Sequence, residues 1–493
     1  MQIKILNKAN SQKLLLLLAG WSTDPRLYAD VRRPGWDTAL IWDFTDDNPR
    51  FRQELSEAVA GRQTVCVIAW SLGVAVAEAL AAEGALPAEA VASAFAVCGS
   101  AQPVSNLFGI PKAIFRGTRD NLSEKNLLRF QRRNSTARDA YGAIPADLLP
   151  PDPDIERLRD QLSDFYLKAK KIEEDDKIST PKLPWRRAFI ARHDLIFPAD
   201  NLRRYWEQAG VEITEMEAGH YIPLREIAAI VIPDLSRIAQ NFRQAGQTYD
   251  EAAKAQRHIA EKLAAMLPKE AKIAKEAIIK ILEIGTGTGL LSRQIIPNLP
   301  PCEATYLDLN PIPPLNLAFK EQYITADAEQ WLAEQAAESA AAQKDNSYAE
   351  GVYDLIISAS TIQWFADPRA FFRHAARLLR PGGCLLISTF VKGNLGELDE
   401  WRPAPLNYLT PEEIEAMAEE YFEEVASEPE ELSLHFESRR QLLLHLKRTG
   451  VAGSAPKSPV APKSAIPKMS DPKTLTYRPL YLIAKKPHAA KPL

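Results

Sequence analysis

The sequence predicts a protein of the α/β class with two successive sheets, and three observations support this prediction. Short continuous apolar segments recur along both halves of the chain, with helical stretches between several of them. Such segments are typical of strands covered by helices on both faces. The alternation stops over residues 99–184, and a second series of apolar segments begins near Ile278. A length of 493 residues accommodates two large α/β domains.

The first series predicts a sheet that is interrupted by an inserted helical cap. Residues 99–184 are rich in Pro, Arg and Lys and contain helix-like pieces, so we expect them to form the cap. A helix-like stretch from Pro223 to about Ala245 ends the series. The domain boundary is predicted near residue 235, which gives domains of residues 1–235 and 236–493. The expected strands are residues 3–6, 14–19, 39–43, 65–70, 94–98, 188–191 and 211–216.

The second series predicts another sheet in the C-terminal half. Residues 335–350, rich in Ala, Gln, Asn and Ser, indicate a surface insertion, and the Pro- and Lys-rich residues 453–473 indicate a flexible excursion. The acidic run between Glu412 and Glu431 is expected to form the solvated face of a helix. The expected strands are residues 278–282, 304–307, 353–358, 384–390 and 475–484.

Composition and charge exclude several classes of function. The 60 basic and 64 acidic residues give a net charge of −4, so we expect no overall attraction to nucleic acid or to an anionic membrane. The four cysteines lack C-x-x-C spacing, which argues against a metal site or a disulfide framework. The N-terminus lacks a signal-peptide pattern, and the longest apolar run, Leu14–Ala19, is too short to cross a membrane. These features predict a cytoplasmic protein without a metal.

Ser71 is the candidate nucleophile of the N-terminal half. It lies where an apolar strand turns into an Ala-rich helix, in the sequence Ala69-Trp70-Ser71-Leu72-Gly73. In this context a strained turn presents a serine hydroxyl above the carboxyl edge of the sheet. The first Gly of the pattern G-x-S-x-G is Ala69 here, a small residue that still permits close packing. The motif by itself is equally consistent with a serine that caps a helix.

A serine hydroxyl needs a base that takes its proton and a carboxylate that orients the base. Asp194 and His220 are predicted for these roles because each follows a predicted strand, in the order acid then histidine. His193 is a competing base, although a neighbour of the acid cannot easily be held by that acid and also reach Ser71. Asp120 is an alternative acid.

The oxyanion of an acyl-transfer intermediate needs two backbone N–H donors. Leu72, the residue after the nucleophile, supplies the first. Trp21 is predicted to supply the second, because it follows the Leu14–Leu18 strand and Gly20. A role for Trp21 in packing alone is the alternative.

These and further motifs, in order over roughly residues 1–230, resemble the BioG family of pimeloyl-[acyl-carrier protein] methyl ester esterases. The resemblance implies an α/β-hydrolase fold, with the nucleophile, acid and base at Ser71, Asp194 and His220. The motifs are Leu18-Ala19-Gly20-Trp21, Ala69-Trp70-Ser71-Leu72-Gly73-Val74, Gly109-Ile110-Pro111, Arg129-Phe130-Gln131-Arg132-Arg133, His193-Asp194-Leu195-Ile196-Phe197-Pro198 and Gly219-His220-Tyr221.

A glycine-rich turn in the second half predicts a nucleotide-type cofactor site. The sequence Glu283-Ile284-Gly285-Thr286-Gly287-Thr288-Gly289 follows a strand and begins a helix, so Gly285, Gly287 and Gly289 let the backbone approach a ligand. The Glu283 carboxylate would repel a pyrophosphate but suits the ammonium group of S-adenosylmethionine (SAM). Asp308, after the next strand, is predicted to accept from the ribose hydroxyls, and Asp327 to meet the adenine amino group. Either aspartate could instead be a solvated loop carboxylate.

The ordered set of strands and loops indicates a class I (Rossmann-like) SAM-dependent methyltransferase domain. Shorter motifs around it resemble the BioC family, malonyl-[acyl-carrier protein] O-methyltransferase, over about residues 238–486. From the resemblance we predict that Tyr249 and Gln256 contact the cofactor, and that Gln363 and Trp364 position the substrate. The motifs include Thr248-Tyr249-Asp250, Gln256, Ile362-Gln363-Trp364, Ser388-Thr389-Phe390, Gly393-Asn394-Leu395-Gly396-Glu397-Leu398, Leu406-Asn407-Tyr408-Leu409, Leu446-Lys447-Arg448-Thr449-Gly450 and Leu475-Thr476-Tyr477.

Together the two resemblances imply a bifunctional enzyme of biotin biosynthesis that makes and later removes a methyl ester on acyl-carrier protein. Methylation would hide a carboxylate that an elongation pocket would have to desolvate. Because the carrier protein is acidic, a basic docking surface is expected, with Arg129, Arg132, Arg133 and Arg138 of the cap as candidates; a solvated basic face is the alternative. Two other functions stay open for the N-terminal half: a non-catalytic docking module and a general carboxylesterase.

Overall fold

The computed structural model describes residues 1–45, 48–135, 141–170, 178–267, 278–341, 351–398, 406, 408–451 and 473–488. The chain divides into two compact units, the first spanning Met1–Ile232 and the second beginning at Pro233. Each unit is built on one seven-stranded sheet, as expected for the α/β class. Among the helices of the described residues, none combines the length and the apolar character needed to cross a membrane.

The first unit contains a mostly parallel sheet with the strand order β1-β3-β2-β4-β5-β6-β7. Only β1 runs antiparallel to its neighbour among these pairs. Every residue of β2 and β4 is buried, which explains why these strands appear as unbroken apolar segments in the sequence. The strands are β1 Gln2–Asn7, β2 Lys13–Leu18, β3 Asp37–Trp42, β4 Thr64–Trp70, β5 Val91–Val97, β6 Trp185–Ala191 and β7 Glu212–Met216.

Helices cover this sheet, and three of them lie between β5 and β6, in the segment predicted to form a cap. The last helix ends at a proline: Ile232 is extended, and Pro233 has no N–H to donate to a continuing helix. The single helical stretch predicted from Pro223 to about Ala245 is therefore wrong, because two helices share it. The helices are α1 Phe51–Val59, α2 Leu72–Ala82, α3 Lys112–Asp120, α4 Glu124–Arg132, α5 Ile155–Lys170, α6 Ala199–Gln208 and α7 Leu224–Val231.

The second unit contains a sheet with the strand order β10-β9-β8-β11-β12-β16-β13, in which β16 is antiparallel to both neighbours. The strands β14 and β15 form a separate antiparallel pair. The strands are β8 Ile279–Ile284, β9 Cys302–Asp308, β10 Lys320–Thr325, β11 Tyr353–Ala359, β12 Leu379–Phe390, β13 Glu423–Pro429, β14 Leu432–His435, β15 Thr474–Tyr477 and β16 Pro479–Lys485.

Apolar clusters pack on both faces of this second sheet, one beneath the N-terminal helices of the unit and one beneath its middle helices. Both faces of the central strands β8 and β11 are therefore largely buried. The helices are α8 Leu235–Ala252, α9 Lys254–Ala265, α10 Leu290–Ile295, α11 Ala328–Ala341, α12 Pro368–Leu378, α13 Pro411–Glu419 and α14 Arg439–Arg448.

Several predictions for this unit need correction. The acidic run Glu412–Glu431 is not one helical face, because α13 ends at Glu419 and β13 follows. The final strand predicted at 475–484 is two strands of different sheets, β15 and β16. Strand β10 escaped prediction because its residues are polar and largely exposed. The predicted insertion at 335–350 begins inside α11, and its remainder, like residues 453–472, lies outside the described residues.

Candidate active sites

Ser71 occupies a sharp turn between β4 and α2, with φ 59° and ψ −127°. A left-handed φ is unfavourable for serine, so close packing must hold the turn. A Cβ atom on Gly73 would lie 2.5 Å from the carbonyl oxygen of Ala19, and one on Gly99 would lie 2.2 Å from that of Ser71. The Ser71 N–H also donates to Val97 O at 2.8 Å. The hydroxyl is thus presented at the carboxyl edge of the sheet by a rigid backbone.

The structure brings Ser71, His220 and Asp194 into one hydrogen-bonded chain. His220 Nε2 lies 2.9 Å from Ser71 Oγ, and His220 Nδ1 lies 2.8 Å from Asp194 Oδ2. The other carboxylate oxygen of Asp194 accepts the N–H groups of Ile196 and Phe197 at 2.7 and 2.9 Å. The side chains of Asp194 and His220 are buried. This geometry suits a serine nucleophile, a base and an orienting acid.

Two aromatic rings pack against the His220 ring. The Phe197 ring stacks on it at 5.8 Å with an interplanar angle of 4°, and the Trp70 ring lies 5.5 Å away. The Trp70 Nε1–H group also donates to His220 O at 2.9 Å. The alternative residues are engaged elsewhere, since His193 lies 3.2 Å from Glu217, and Asp120 pairs with Arg119 at 2.6 Å.

A small cavity in front of Ser71 is lined by both predicted oxyanion donors, Trp21 and Leu72. The Trp21 ring packs edge-on against Phe130 of α4, with the ring centroids 5.1 Å apart. Arg133 lines the same cavity, so the cap borders the site.

Cys98 is a neighbour of the triad that belongs to no motif in the sequence. It directly follows β5, is buried, and has a left-handed φ of 47°. Its Sγ and the ligand atoms of Asp194 and His220 lie within 4.8 Å of one another. These are ligand types of transition metals, but the aspartate and histidine atoms already bond each other. The arrangement therefore fits a triad with a thiol behind it.

The second unit contains a cavity of about 700 Å³ that most of the predicted cofactor and substrate residues line. Gly289 is the exception among the predicted glycines. It precedes α10 with φ 81°, and a Cβ atom there would lie 2.7 Å from the Leu315 side chain. Glycine is therefore needed for the backbone conformation and the packing of this turn, rather than for lining the cavity. The predicted residues that line the cavity are Tyr249, Gln256, Glu283, Gly285, Gly287, Asp308, Asp327, Gln363 and Trp364.

Two buried carboxylates stand at the ends of β8 and β9. Glu283 accepts a hydrogen bond from the Ser292 hydroxyl, and burial raises the pKa of Glu283 to about 8. Asp308 accepts the Gly287 N–H at 2.9 Å and the Asn310 N–H at 2.8 Å, and burial raises its pKa as well. A cationic ligand beside Glu283 would favour the ionised carboxylate.

The polar atoms of the cavity wall indicate which kind of ligand fits. Within the described residues, the charged side chains that line it are four carboxylates and one guanidinium, that of Arg243. The Gln256 Oε1 atom is buried and has no hydrogen-bond partner among the described residues. An acidic wall with an unpaired acceptor suits a ligand with cationic and donor groups. The four carboxylates are Glu283, Asp308, Asp327 and Glu329.

Gln363 and Trp364 lie at the aromatic end of the cavity. The Trp364 and Phe242 rings meet edge to face at 6.2 Å. The Gln363 amide is engaged within the protein, because its Nε2 donates to Ser360 O at 2.6 Å and its Oε1 accepts from Thr389 Oγ1 at 3.2 Å. Ser360, which the sequence did not single out, has φ 53° and also lines the cavity. Gln363 therefore holds the loop after β11 in place.

The predicted docking arginines lie on the cap. Arg129, Arg132 and Arg133 are exposed on α4 and directly after it. Arg129 donates to the Asn126 side chain at 3.2 Å. Arg138 lies outside the described residues.

The two halves of the chain match two different protein-family models. Residues 1–227 match the family model "Pimeloyl-ACP methyl esterase BioG", and residues 251–450 match the model "Methyltransferase domain". A solved structure of BioG from Haemophilus influenzae is 28% identical and covers 46% of this chain and 96% of its own, with a TM-score of 0.37. The C-terminal half is accordingly a methyltransferase domain with a Rossmann-like sheet.

Proteins of similar sequence show to which family of methyltransferases the chain belongs. The malonyl-[acyl-carrier protein] O-methyltransferase of Porphyromonas gingivalis is 32% identical over 278 residues, covering 54% of this chain and 100% of that protein. The protein of the same name from Bacteroides fragilis is 29% identical over 494 residues, 96% of this chain and 93% of its own length. The chain belongs to the family of malonyl-[acyl-carrier protein] O-methyltransferases.

The raised pKa of Glu283 generates a stability prediction. Between the ordinary glutamate pKa of about 4.3 and about 8, the folded protein holds a proton that the unfolded chain has lost. The free energy of unfolding therefore falls as pH rises through this window. Glu283→Gln removes this dependence, so it should stabilise the ligand-free protein by roughly 1 to 3 kcal/mol at pH 8, and less at pH 5.

Chemical denaturation of the variant and the parent at pH 5 to 9 measures this difference. Glu261→Gln, an exposed position on α9, is the matched control and should leave the curve unchanged. A Glu283→Gln difference that stays constant with pH would contradict the account.

Proposed function

We propose that the chain is a bifunctional enzyme of biotin synthesis. The C-terminal unit transfers a methyl group from SAM to the free carboxylate of malonyl-[acyl-carrier protein]. The N-terminal unit hydrolyses pimeloyl-[acyl-carrier protein] methyl ester to the free acid and methanol. The hydrogen-bonded chain Ser71–His220–Asp194, in a segment that matches an esterase family, carries the proposal for the second activity.

The N-terminal unit has features of an α/β-hydrolase. Its sheet is parallel except for β1, and the nucleophile follows a central strand with the acid and histidine after later strands. His220 takes the Ser71 proton as the hydroxyl attacks the ester carbonyl, and gives it to the departing methoxide, which leaves the acyl group on Ser71 Oγ. A water molecule, deprotonated by His220, then attacks this acyl ester. The free acid is released and the proton returns to Ser71 Oγ. Asp194 holds the imidazole and stabilises its charged form, while the Trp21 and Leu72 N–H groups face the oxyanion.

A catalytic role accounts for these features better than a docking module does. A module that only binds a carrier protein has no need of a strained serine, a buried histidine packed against two rings and a buried carboxylate with three partners. Strained backbone persists only where the surroundings enforce it, and it concentrates at active sites.

The cavity of the second unit suits SAM, which supplies a methyl group on a positively charged sulfur. Glu283 and the Gln256 Oε1 acceptor would hold the ammonium end, since one is an acid and the other has no partner among the described residues. Asp308 would accept from the ribose hydroxyls, and Asp327 would face the adenine. Gly285 and Gly287 keep the intervening loop close to the ligand.

Methyl transfer to a carboxylate needs no general base. The acceptor is already ionised at pH 7, so the chain's task is to align it and exclude water. The aromatic end of the cavity, with Phe242, Tyr249 and Trp364, provides a neutral wall for the acyl group. The loop that Gln363 fixes completes that wall.

Ser71→Ala tests whether the N-terminal unit hydrolyses the ester independently of methyl transfer by the C-terminal unit. The variant should lose hydrolysis of the carrier-bound methyl ester by a factor on the order of 10⁶, because the triad acts as a unit. Methyl transfer from SAM to malonyl-[acyl-carrier protein] should stay at the parent rate. Methanol release and labelled-methyl incorporation measure the two activities on the same preparation; retained hydrolysis would place the nucleophile elsewhere.

Reversal of two cap arginines tests docking of the acidic carrier protein. Arg132→Glu together with Arg133→Glu should raise KM for the carrier-bound ester, because steering and rim contacts turn repulsive. Hydrolysis of a small soluble methyl ester should change much less, and the single variant Arg132→Glu, at a residue that does not line the Ser71 cavity, should leave it unchanged.

The double variant Lys4→Glu, Lys8→Glu changes charge equally at exposed positions of β1 and just beyond it. It should behave like the parent. If the arginine variant also does so at low salt, the basic run is a solvated face.

A further inference from the structure

We propose that Arg243 binds the phosphate of the arm from which the malonyl group hangs. The inference rests on the proposed methyl transfer to a carrier-bound acyl group, and it adds a contact for a part of the substrate that does not react. Carrier proteins hold acyl groups on a flexible arm attached through a phosphodiester. The arm must pass the mouth of the cavity while the acyl group reacts inside.

Arg243 is the one cation among the described residues that line the cavity. It lies on α8, is exposed, and follows Phe242, whose ring meets Trp364 and Tyr249 at the aromatic end. The exposed side chain therefore belongs to the mouth, next to the wall assigned to the acyl group.

The Arg243 side chain is oriented by one hydrogen bond, which does not involve the two terminal nitrogens of the guanidinium. Its Nε donates to Asn310 Oδ1 at 3.2 Å, and the Asn310 amide is fixed by its own donation to Ala239 O at 3.0 Å. The two terminal nitrogens of Arg243 make no hydrogen bond to any of the described residues. Paired terminal nitrogens of arginine match two oxygens of a phosphate.

The charge around the cavity makes such a contact useful. Asp308, Asp327 and Glu329 line the same cavity, so an anionic arm that enters it meets repulsion. A cation at the mouth offsets this repulsion where the phosphate passes. The acceptor carboxylate is a less suitable partner for Arg243, because it must reach the methyl group inside the cavity.

The test compares two acceptors that differ by one phosphate, malonyl-phosphopantetheine and malonyl-pantetheine. Arg243→Glu should raise KM for the phosphorylated acceptor roughly 3- to 10-fold more than for the other, with kcat unchanged. Arg243→Gln should give a smaller effect in the same direction. The dissociation constant of SAM, measured by calorimetry, should match the parent for both variants.

Arg237→Glu is the matched control, since it makes the same charge change on the same helix at a residue that does not line the cavity. It should not alter the KM ratio of the two acceptors. Equal losses on both acceptors would assign Arg243 to the carboxylate, and weaker SAM binding would assign it to the cofactor; either overturns the proposal. A parent protein that methylates neither these acceptors nor malonyl-[acyl-carrier protein] refutes the proposed function itself, before any variant is compared.

Discussion

Both sites depend on one constraint, the way the chain leaves a parallel strand at the carboxyl edge of its sheet. A strand covered on both faces can present polar groups only where it ends, so each turn must reverse direction sharply. Ser71, Cys98 and Ser360 have left-handed φ values of 59°, 47° and 53° at such ends. Neighbouring strands and tightly packed glycines such as Gly73 and Gly285 hold these turns. The positions of the reacting groups are therefore determined by the ends of the sheet strands.

The two units use buried carboxylates in opposite ways. Asp194 accepts two backbone N–H groups and the His220 ring, so its charge is fully compensated and can orient the base. Glu283 accepts hydrogen bonds from Ser292 and Thr286, yet burial outweighs them and raises its pKa to about 8. A cation beside this carboxylate would favour its ionised form. The Ser71–His220–Asp194 hydrogen bonds thus form without any ligand, whereas Glu283 in the second unit would gain a partner when a cationic ligand binds.

The sequence predicts those elements and site residues that are encoded by a pattern of neighbouring residues. The apolar strands, the turn at Ser71 and the glycine-rich loop are each encoded by a short stretch of neighbouring residues. The structure places Ser71 and the glycine-rich loop at the ends of strands. Elements whose structure depends on distant partners were missed. Strand β10 is polar and pairs with β9, which lies earlier in the chain, and β13 is an acidic edge strand held by β16. Cys98 and Ser360 carried no motif, because their importance comes from strand neighbours far along the chain.

The central claim is that one chain makes and removes the same protecting ester. Growth without biotin measures it directly, in bacterial cells that lack both their own malonyl methyltransferase and their own pimeloyl ester esterase. The account predicts that the whole chain restores growth, and that a chain without the Ser71 hydroxyl restores it only when a separate esterase is supplied. Failure of the whole chain to support growth unless an esterase is added would contradict it.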